Sequence, residues 1–229
     1  MQKLQWDSEF WGIDIYDLGK DYDNVIPKPI EEPSKEYIVQ ALLEENEIDA
    51  INSLEDKGFR FVETKVNLIK QVSTPLKVTE HSIRNVKYDD LLPYKNSFYD
   101  IYGKYSRFSL FNPEKVNNFY YMWLKNSIEG TMDHKCMGYY VQDKLAGFIT
   151  YKIRNQELSI GLFGVFPEFQ QKGIGKELLN HVNNQALSEG CKIISVSTQG
   201  KNYNAINIYI KNNFLIRNLQ NWYYLMKIK

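Results

Sequence analysis

The strongest chemical signal in the sequence is a short loop, Gln170-Gln171-Lys172-Gly173-Ile174-Gly175-Lys176. Two glycines without Cβ atoms let a ligand approach the backbone closely. The apolar residues Ile174, Leu178, Val182 and Ala186 recur every four positions behind it, with Leu179 widening the stripe, so an amphipathic helix starts at the glycines. Gly190 stops that helix. The unbonded N–H groups of its first turn and its dipole favour negative charge, so the loop reads as an anion site, for phosphate. A Walker loop would need glycine at position 170 and Ser or Thr at 177; Gln170 and Glu177 stand there. A dinucleotide fingerprint would need Gly or Ala at position 178, which is Leu178.

Around the loop, Ser159 to Val165 reads as a strand, and Pro167 ends it because proline cannot donate to a ladder. Upstream, Lys135 to Val141 and Leu145 to Arg154 form a hairpin through Gln142-Asp143-Lys144, and Arg154-Asn155-Gln156 turns into the motif strand. Downstream, Cys191 to Thr198 is a strand that a crossover of this length makes parallel to the motif strand. Asn202 to Lys211 is a helix with Asn213 at its C-terminal cap, followed by two closing strands, Phe214 to Leu219 and Trp222 to Lys229. Tyr88 to Tyr102 reads as helix. Pro113 to Glu129 is a helix whose apolar face is Val116, Phe119, Tyr120, Trp123 and Leu124.

Residues 1–75 form a first unit and 76–229 a second, with Pro75 to Glu80 as the join. In the first, Leu4 to Gly12 carries Trp6, Phe10 and Trp11, either a strand edge packed on a core or a rim that stacks on a base or sugar. Ile13 to Leu18 alternates as a strand, a proline-spaced loop runs from Pro27 to Pro33, and Tyr37 to Leu43 fits strand or helix. Ile48 to Lys57 is a helix stopped by Gly58, and Phe59 to Gln71 is a strand. The run Leu54 to Val62 repeats the helix end, turn and strand layout of Ile208 to Ile216, which makes the first unit a partial copy lacking the phosphate loop.

The 229 residues carry 28 Lys and Arg against 28 Asp and Glu, and this balance argues against a nucleic-acid binder. No apolar run reaches the roughly 18 residues of a membrane helix, and no charged-then-apolar signal opens the chain, so the cytoplasm is the expected compartment. Cys136 and Cys191 lie far apart and His81, His134 and His181 are scattered, without metal-ligand spacing; no metal is expected.

Gln170, Gly173 and Gly175, with Val165 and Pro167 in front, match Gln/Arg-x-x-Gly-x-Gly/Ala after a strand ending in Val-x-Pro. This resembles motif A of the GNAT acetyltransferase superfamily, and the order of strands and helices over residues 80–229 is similar to the GNAT core. The opening W-D-S-E-F-W-G, the S-R-F segment, F-Y-Y-M-W-L-K-N-S-I-E-G, T-M-D-H-K-C and T-Q-G-K-N-Y-N-A-I-N-I-Y-I resemble bacterial nucleotide-amino-sugar N-acetyltransferases. The implied fold is α/β: a mixed, mostly antiparallel sheet flanked by helices, with an added N-terminal α/β unit resembling a partial GNAT half.

The resemblance implies transfer of acetyl from acetyl-CoA to an amine, with the pyrophosphate on Gln170, Gln171, Lys172, Gly173, Ile174, Gly175 and Lys176. It implies a thioester against the backbone of Phe163, Gly164 and Val165, where the next parallel strand splays away. Asn202, Ala205 and Tyr209 reproduce a GNAT spacing in which the tyrosine protonates the departing thiolate and the asparagine holds the CoA arm. Glu157, His134 and a water chain remain alternatives for the base. The implied acceptor is a nucleotide-linked amino sugar, a dTDP-4-amino-4,6-dideoxyhexose used in bacterial surface-polysaccharide synthesis, held between the units by Trp11, Tyr105, Arg107 and His134. Other acceptors (peptide, lysine, polyamine) and a non-catalytic acyl-CoA sensor stay open, as does a homodimer.

Overall fold

In the computed structural model, which describes residues 1–20, 36–79 and 82–228, the alternating stretches are strands and the four-residue apolar repeats are helices. The chain forms two units, Met1–Val66 with Asn218–Lys229, and Asn67–Arg217. The division therefore falls inside two strands rather than at residue 75, and the C-terminal residues join the first unit. No change of composition marks Val66 or Arg217, so the sequence could not show it.

The first unit contains β1 (Gln2–Lys3), α1 (Gln5–Trp11), β2 (Asp14–Asp17), β3 (Tyr37–Glu44), α2 (Ile48–Asp56) and the start of β4 (Arg60–Gln71). The opening stretch is a helix, not a strand edge. Trp6 and Phe10 stand four apart and stack with ring centroids 5.4 Å apart, a helical spacing hidden by the third aromatic at Trp11. Gly12 ends α1 at φ 72, donating its N–H to the Ser8 carbonyl. β3 settles the ambiguity of Tyr37 to Leu43: Val39, Ala41 and Leu43 are fully buried, and the strand pairs parallel with β2. These residues, with Leu18, Leu54, Phe59 and Tyr223, make the core of this unit. The loop from Pro27 to Pro33 lies outside the described residues.

The second unit takes up β4 at Asn67. It contains β5 (Ile83–Asn85), α3 (Tyr88–Leu91), α4 (Phe98–Tyr102), α5 (Pro113–Ile128), β6 (Lys135–Val141), β7 (Lys144–Arg154), β8 (Glu157–Val165), α6 (Ile174–Ser188), β9 (Ile193–Gln199), α7 (Tyr203–Lys211) and the start of β10 (Leu215–Lys227). The helix expected over Tyr88 to Tyr102 is broken in two, with a 3₁₀ turn over Leu92–Tyr94 at Pro93. The two closing strands are one continuous strand, β10: Gln220 and Asn221, read as a break, keep their pairing with Glu44 and Leu43 of β3. Strand order in this unit is β4-β9-β8-β7-β6-β5. β6, β7 and β8 are antiparallel neighbours, joined by tight turns at Gln142-Asp143 and Asn155-Gln156, all four at positive φ. β8 and β9 are parallel, as the crossover rule requires. The join after β4 is built onto α6: Asn183 and Asn180 donate to the Thr74 and Lys77 carbonyls at 2.9 Å each, and Asn184 bonds both backbone groups of Leu76. Among the described residues no helix is long and apolar enough to cross a membrane.

The echo between the two units is geometric. The Phe59 N–H reaches the Leu54 carbonyl at 3.0 Å past Gly58 at φ 88, and the Phe214 N–H reaches the Tyr209 carbonyl at 3.1 Å past Asn213 at φ 66. Both are helix ends closed by a residue in the left-handed region. Leu54, fully buried, stands in the first unit where Tyr209 stands in the second. Leu54→Ala should therefore cost about 2–5 kcal/mol of first-unit stability in chemical denaturation; a loss below about 1 kcal/mol would mean that this core does not depend on that helix end.

Candidate functional site

The site is set by where β8 and β9 stop pairing. Their ladder runs from Glu157–Ile193 to Ile160–Val196 and ends there among the described residues, although β8 continues to Val165 and β9 to Gln199. Across β8, the register against β7 jumps between Ile149–Phe163 and Tyr151–Ile160. Two residues of β8, Gly161 and Leu162, thus face one of β7, Thr150, which is a bulge, and bulges bend and twist the strand that carries them. The backbone of Phe163, Gly164 and Val165 is left along the opening. Phe166 pins the end of the strand: it is fully buried, stacks on Tyr94 at 3.8 Å, and donates its N–H to the Ala146 carbonyl at 3.0 Å.

The phosphate loop follows a 3₁₀ turn over Pro167–Phe169. Gln170 donates its side-chain amide to the Val165 carbonyl at 3.0 Å, and Lys172 donates to the Glu168 carbonyl at 3.0 Å. Gln171 at φ 61 and Gly173 at φ 80 fold the backbone back so that α6 begins at Ile174 with no side chain capping it. The first turn of α6 is thus uncapped, as an anion site requires. Gly173 has open space where a Cβ would sit, whereas a Cβ at Gly175 would lie 2.7 Å from Ile208 Cδ1 and 3.1 Å from the Phe163 ring. The two glycines therefore do different work: Gly173 keeps the approach clear, and Gly175 lets α6 pack on β8 and α7. Ile174 is buried as the first residue of the apolar stripe, and Lys176 is exposed.

Two phenols flank the end of β8. Tyr209 on α7 is 4% exposed, with its ring 5.8 Å from Phe163 and 5.4 Å from Phe214. Burial pushes its hydroxyl well above the ordinary range of a phenol. Tyr102, at the end of α4, reaches the other side: a Cβ at Gly164 would lie 3.1 Å from its hydroxyl oxygen. That oxygen is buried, facing the Phe163 backbone, with no hydrogen bond of good geometry among the described residues; burial, then the neighbouring Tyr209 and Tyr120, hold its pKa well above the ordinary value. Sequence reasoning missed Tyr102 because it is one of three tyrosines between Tyr99 and Tyr105, and no local pattern separates them.

Asn202 is the N-cap of α7, its amide oxygen accepting the Ala205 N–H at 3.2 Å, a bond that engages neither hydrogen of its amide nitrogen. Tyr105 and Arg107 follow α4 directly, both half-buried, with the Arg107 guanidinium 4.2 Å from the Phe108 ring centroid. Trp11 is 2% exposed, a core residue of the first unit, and so offers no stacking face; among its neighbours the exposed aromatic is Trp6. His134 accepts the Ile153 N–H at Nδ1, and Ile153 pairs with Leu158. Counted along β7 from Ile153 to Ile149, the partner of Phe163, that places it roughly 13 Å along the strand from Phe163, at about 3.3 Å per residue. Glu157 is farther still, at the start of β8, where it accepts from the Ser195 hydroxyl. Neither is in reach of the β8 end, because a strand separates residues that a short sequence interval seems to join. Cys136 and Cys191 are buried; burial pushes both thiols up, so neither is a nucleophile at neutral pH. Among the described residues no cluster of His, Cys, Asp or Glu could hold a metal ion.

The loop geometry makes a direct expectation. Gly173→Glu should abolish acetyl-CoA binding in calorimetry, while Gly173→Ala, which shares the strain of a side chain at φ 80 but adds no charge, should bind far better. Equal affinity for both variants would remove the anion from this loop.

Comparison with known proteins agrees with this geometry. The acetyltransferase (GNAT) family matches residues 96–214, just over half of the chain. A protein named dTDP-fucosamine acetyltransferase, from Escherichia coli, is 24% identical over 230 residues, covering 98% of this chain and 97% of its own. A GCN5-related N-acetyltransferase from Sphaerobacter thermophilus superposes with a TM-score of 0.61 at 15% identity, covering 85% of this chain and 61% of its own. A GNAT-family acetyltransferase from Colwellia psychrerythraea gives a TM-score of 0.56 at 15% identity, covering 82% and 65%. This chain thus spans less than two thirds of either solved structure, and at such identities they speak for the fold alone. With the opened strand pair, the uncapped glycine loop and the matched family together, the chain belongs to the GNAT acetyltransferases and is an acetyl-CoA-dependent N-acetyltransferase.

Proposed function

We propose that the acetyl group is moved onto the amine of a nucleotide-linked amino sugar, a dTDP-4-amino-4,6-dideoxyhexose, in bacterial surface-polysaccharide synthesis. The observation that supports this acceptor is the 24% identity to a dTDP-fucosamine acetyltransferase over 98% of the chain, because the likeness runs through the first unit as well as the acetyltransferase core. The pyrophosphate of acetyl-CoA rests on the N–H groups between Gln171 and Gly175 at the start of α6. The pantetheine arm enters between β8 and β9 beyond Ile160–Val196. The thioester carbonyl lies against the backbone of Phe163 to Val165, where an N–H stabilises the oxyanion that forms.

The unprotonated amine attacks the carbonyl carbon, the C–N bond forms, and the C–S bond breaks with its electron pair going to sulfur. Tyr209 donates its phenolic proton to that thiolate and recovers it from water. With its pKa raised by burial, Tyr209 is protonated throughout the neutral range and able to donate. The proton lost by the amine goes to water, since Glu157 and His134 stand too far from the β8 end. Arg107, its guanidinium 4.2 Å from the Phe108 ring centroid, suits the diphosphate of the acceptor in a bidentate pair. Binding energy from nucleotide and diphosphate then places the amine.

Tyr209→Phe should lower kcat by about 10² to 10⁴ with acetyl-CoA affinity nearly unchanged; turnover within a factor of about three would make Tyr209 a packing residue. Because burial raises the Tyr209 pKa above its ordinary value of 10, its deprotonation should cause no fall in kcat between pH 7 and pH 10; an alkaline limb below pH 10 that disappears in Tyr209→Phe would contradict this assignment. In a thiol-release assay the nucleotide-linked amino sugar should far outpace the free amino sugar, and Arg107→Ala should raise KM for the former only. Equal activity on both sugars, or a preference for peptide or polyamine amines, would overturn the acceptor.

A further inference from the structure

One buried charge has no part in the chemistry above. Asp133 is 2% exposed and lies in the turn before β6. Its Oδ2 accepts from the Thr150 hydroxyl at 2.6 Å and the Trp123 indole N–H at 3.2 Å; the Ser127 hydroxyl lies 3.3 Å away and donates to the Trp123 carbonyl at 2.9 Å. Thr150 Oγ1 in turn accepts the backbone N–H of Leu162 at 2.7 Å. Thr150 is the β7 residue at which the register against β8 jumps, and Leu162 is within the bulge. Directly under the carboxylate is Gly161, where a Cβ would lie 2.1 Å from Oδ2 and 2.8 Å from Thr150 Oγ1. The N–H that a regular ladder would give to a neighbouring strand is therefore given to a side chain, and the space for a side chain at 161 is filled by the carboxylate.

We propose that Asp133 and Thr150 are positioning residues that fix the Gly161-Leu162 bulge and so hold β8 open from β9. The bulge begins one residue after the last β8–β9 pair, Ile160–Val196, so the clamp sits at the point where the strands part. With the clamp in place, Phe163, Gly164 and Val165 keep one position along the opening. Without it, the freed Leu162 N–H seeks a ladder partner and β8 shifts toward regular pairing. A buried donor left without a partner is costly, which is what drives the shift. Asp133 acts from the turn between α5 and β6, through Thr150, and does not touch the reacting atoms. This assignment rests on the reading that the opening takes the thioester arm of acetyl-CoA.

Thr150→Val tests it, since valine keeps the shape and removes both the donor to Asp133 and the acceptor for Leu162; Thr150→Ser restores the hydroxyl. In the valine variant, hydrogen exchange of the Leu162 amide should accelerate, with the amides of β6 and the rest of β7 unaltered. Calorimetric affinity for CoA, held at the loop, should stay within about threefold, while kcat on the best amine of the wild-type protein falls roughly ten- to hundredfold, as a displacement of about 1 Å can cost. The serine variant should recover both. Unchanged Leu162 exchange, or unchanged kcat in folded Thr150→Val, would overturn the clamp, as would a serine variant as impaired as the valine one. A purely structural role would instead lower the melting temperature and leave kcat of the folded protein intact. Should Thr150→Val not fold, Asp133→Asn carries the same test, with the same split between kcat and CoA affinity expected and an unchanged kcat overturning the proposal. Failure of every amino sugar as acceptor would end the acceptor reading while the exchange at Leu162 still judged the clamp.

Discussion

The parting of two parallel strands is the constraint on which the rest of the second unit depends. Parallel strands normally pair along their whole shared length, because each backbone N–H and C=O must find a partner. Here β8 and β9 pair only from Glu157–Ile193 to Ile160–Val196 and then run on apart. Something must hold them apart and something must use the backbone groups so left. The bulge at Gly161-Leu162, the buried anchor at Phe166 and the packing of α6 through Gly175 serve the first need. In the function proposed above, a thioester arm serves the second.

Burial decides how the polar groups near this opening behave. Tyr209 and Tyr102 are enclosed on opposite sides of the β8 end, and desolvation holds both phenols in the neutral form. A neutral phenol is a proton donor, which suits a thiolate leaving group. The same desolvation keeps Cys136 and Cys191 as inert thiols. Asp133 is also buried, and its side chain accepts from the Thr150 hydroxyl and the Trp123 indole N–H.

The glycine loop, the motif strand and the helix behind it were legible because each rests on local rules: an apolar period of four, a glycine at positive φ, a proline after a strand. The hairpin turns and the parallel β8–β9 pair followed from the same rules. What stayed hidden depends on pairing across the sequence. The bulge is a mismatch between β7 and β8 that neither strand records alone. Tyr102 and Asp133 are brought to β8 by α4 and by the turn before β6, so their spacing to the loop carries no signal. The choice of base, left open between His134, Glu157 and a water chain, was illegible for the converse reason: closeness in sequence became distance along an extended strand. In the first unit the aromatic opening hid a helix, since Trp6 and Phe10 obey its period and Trp11 breaks the pattern by being buried. The division inside β4 and β10 leaves no mark in composition.

In the function proposed above, the thioester of acetyl-CoA lies against the end of β8 while its pyrophosphate sits at the start of α6. Backbone amide NMR with acetyl-CoA and with CoA tests this most directly. Both ligands should shift the amides of Gln171 to Gly175 alike, and acetyl-CoA alone should add a shift confined to Phe163, Gly164 and Val165. Acetyl-dependent shifts elsewhere in the chain, or none at the end of β8, would contradict the account.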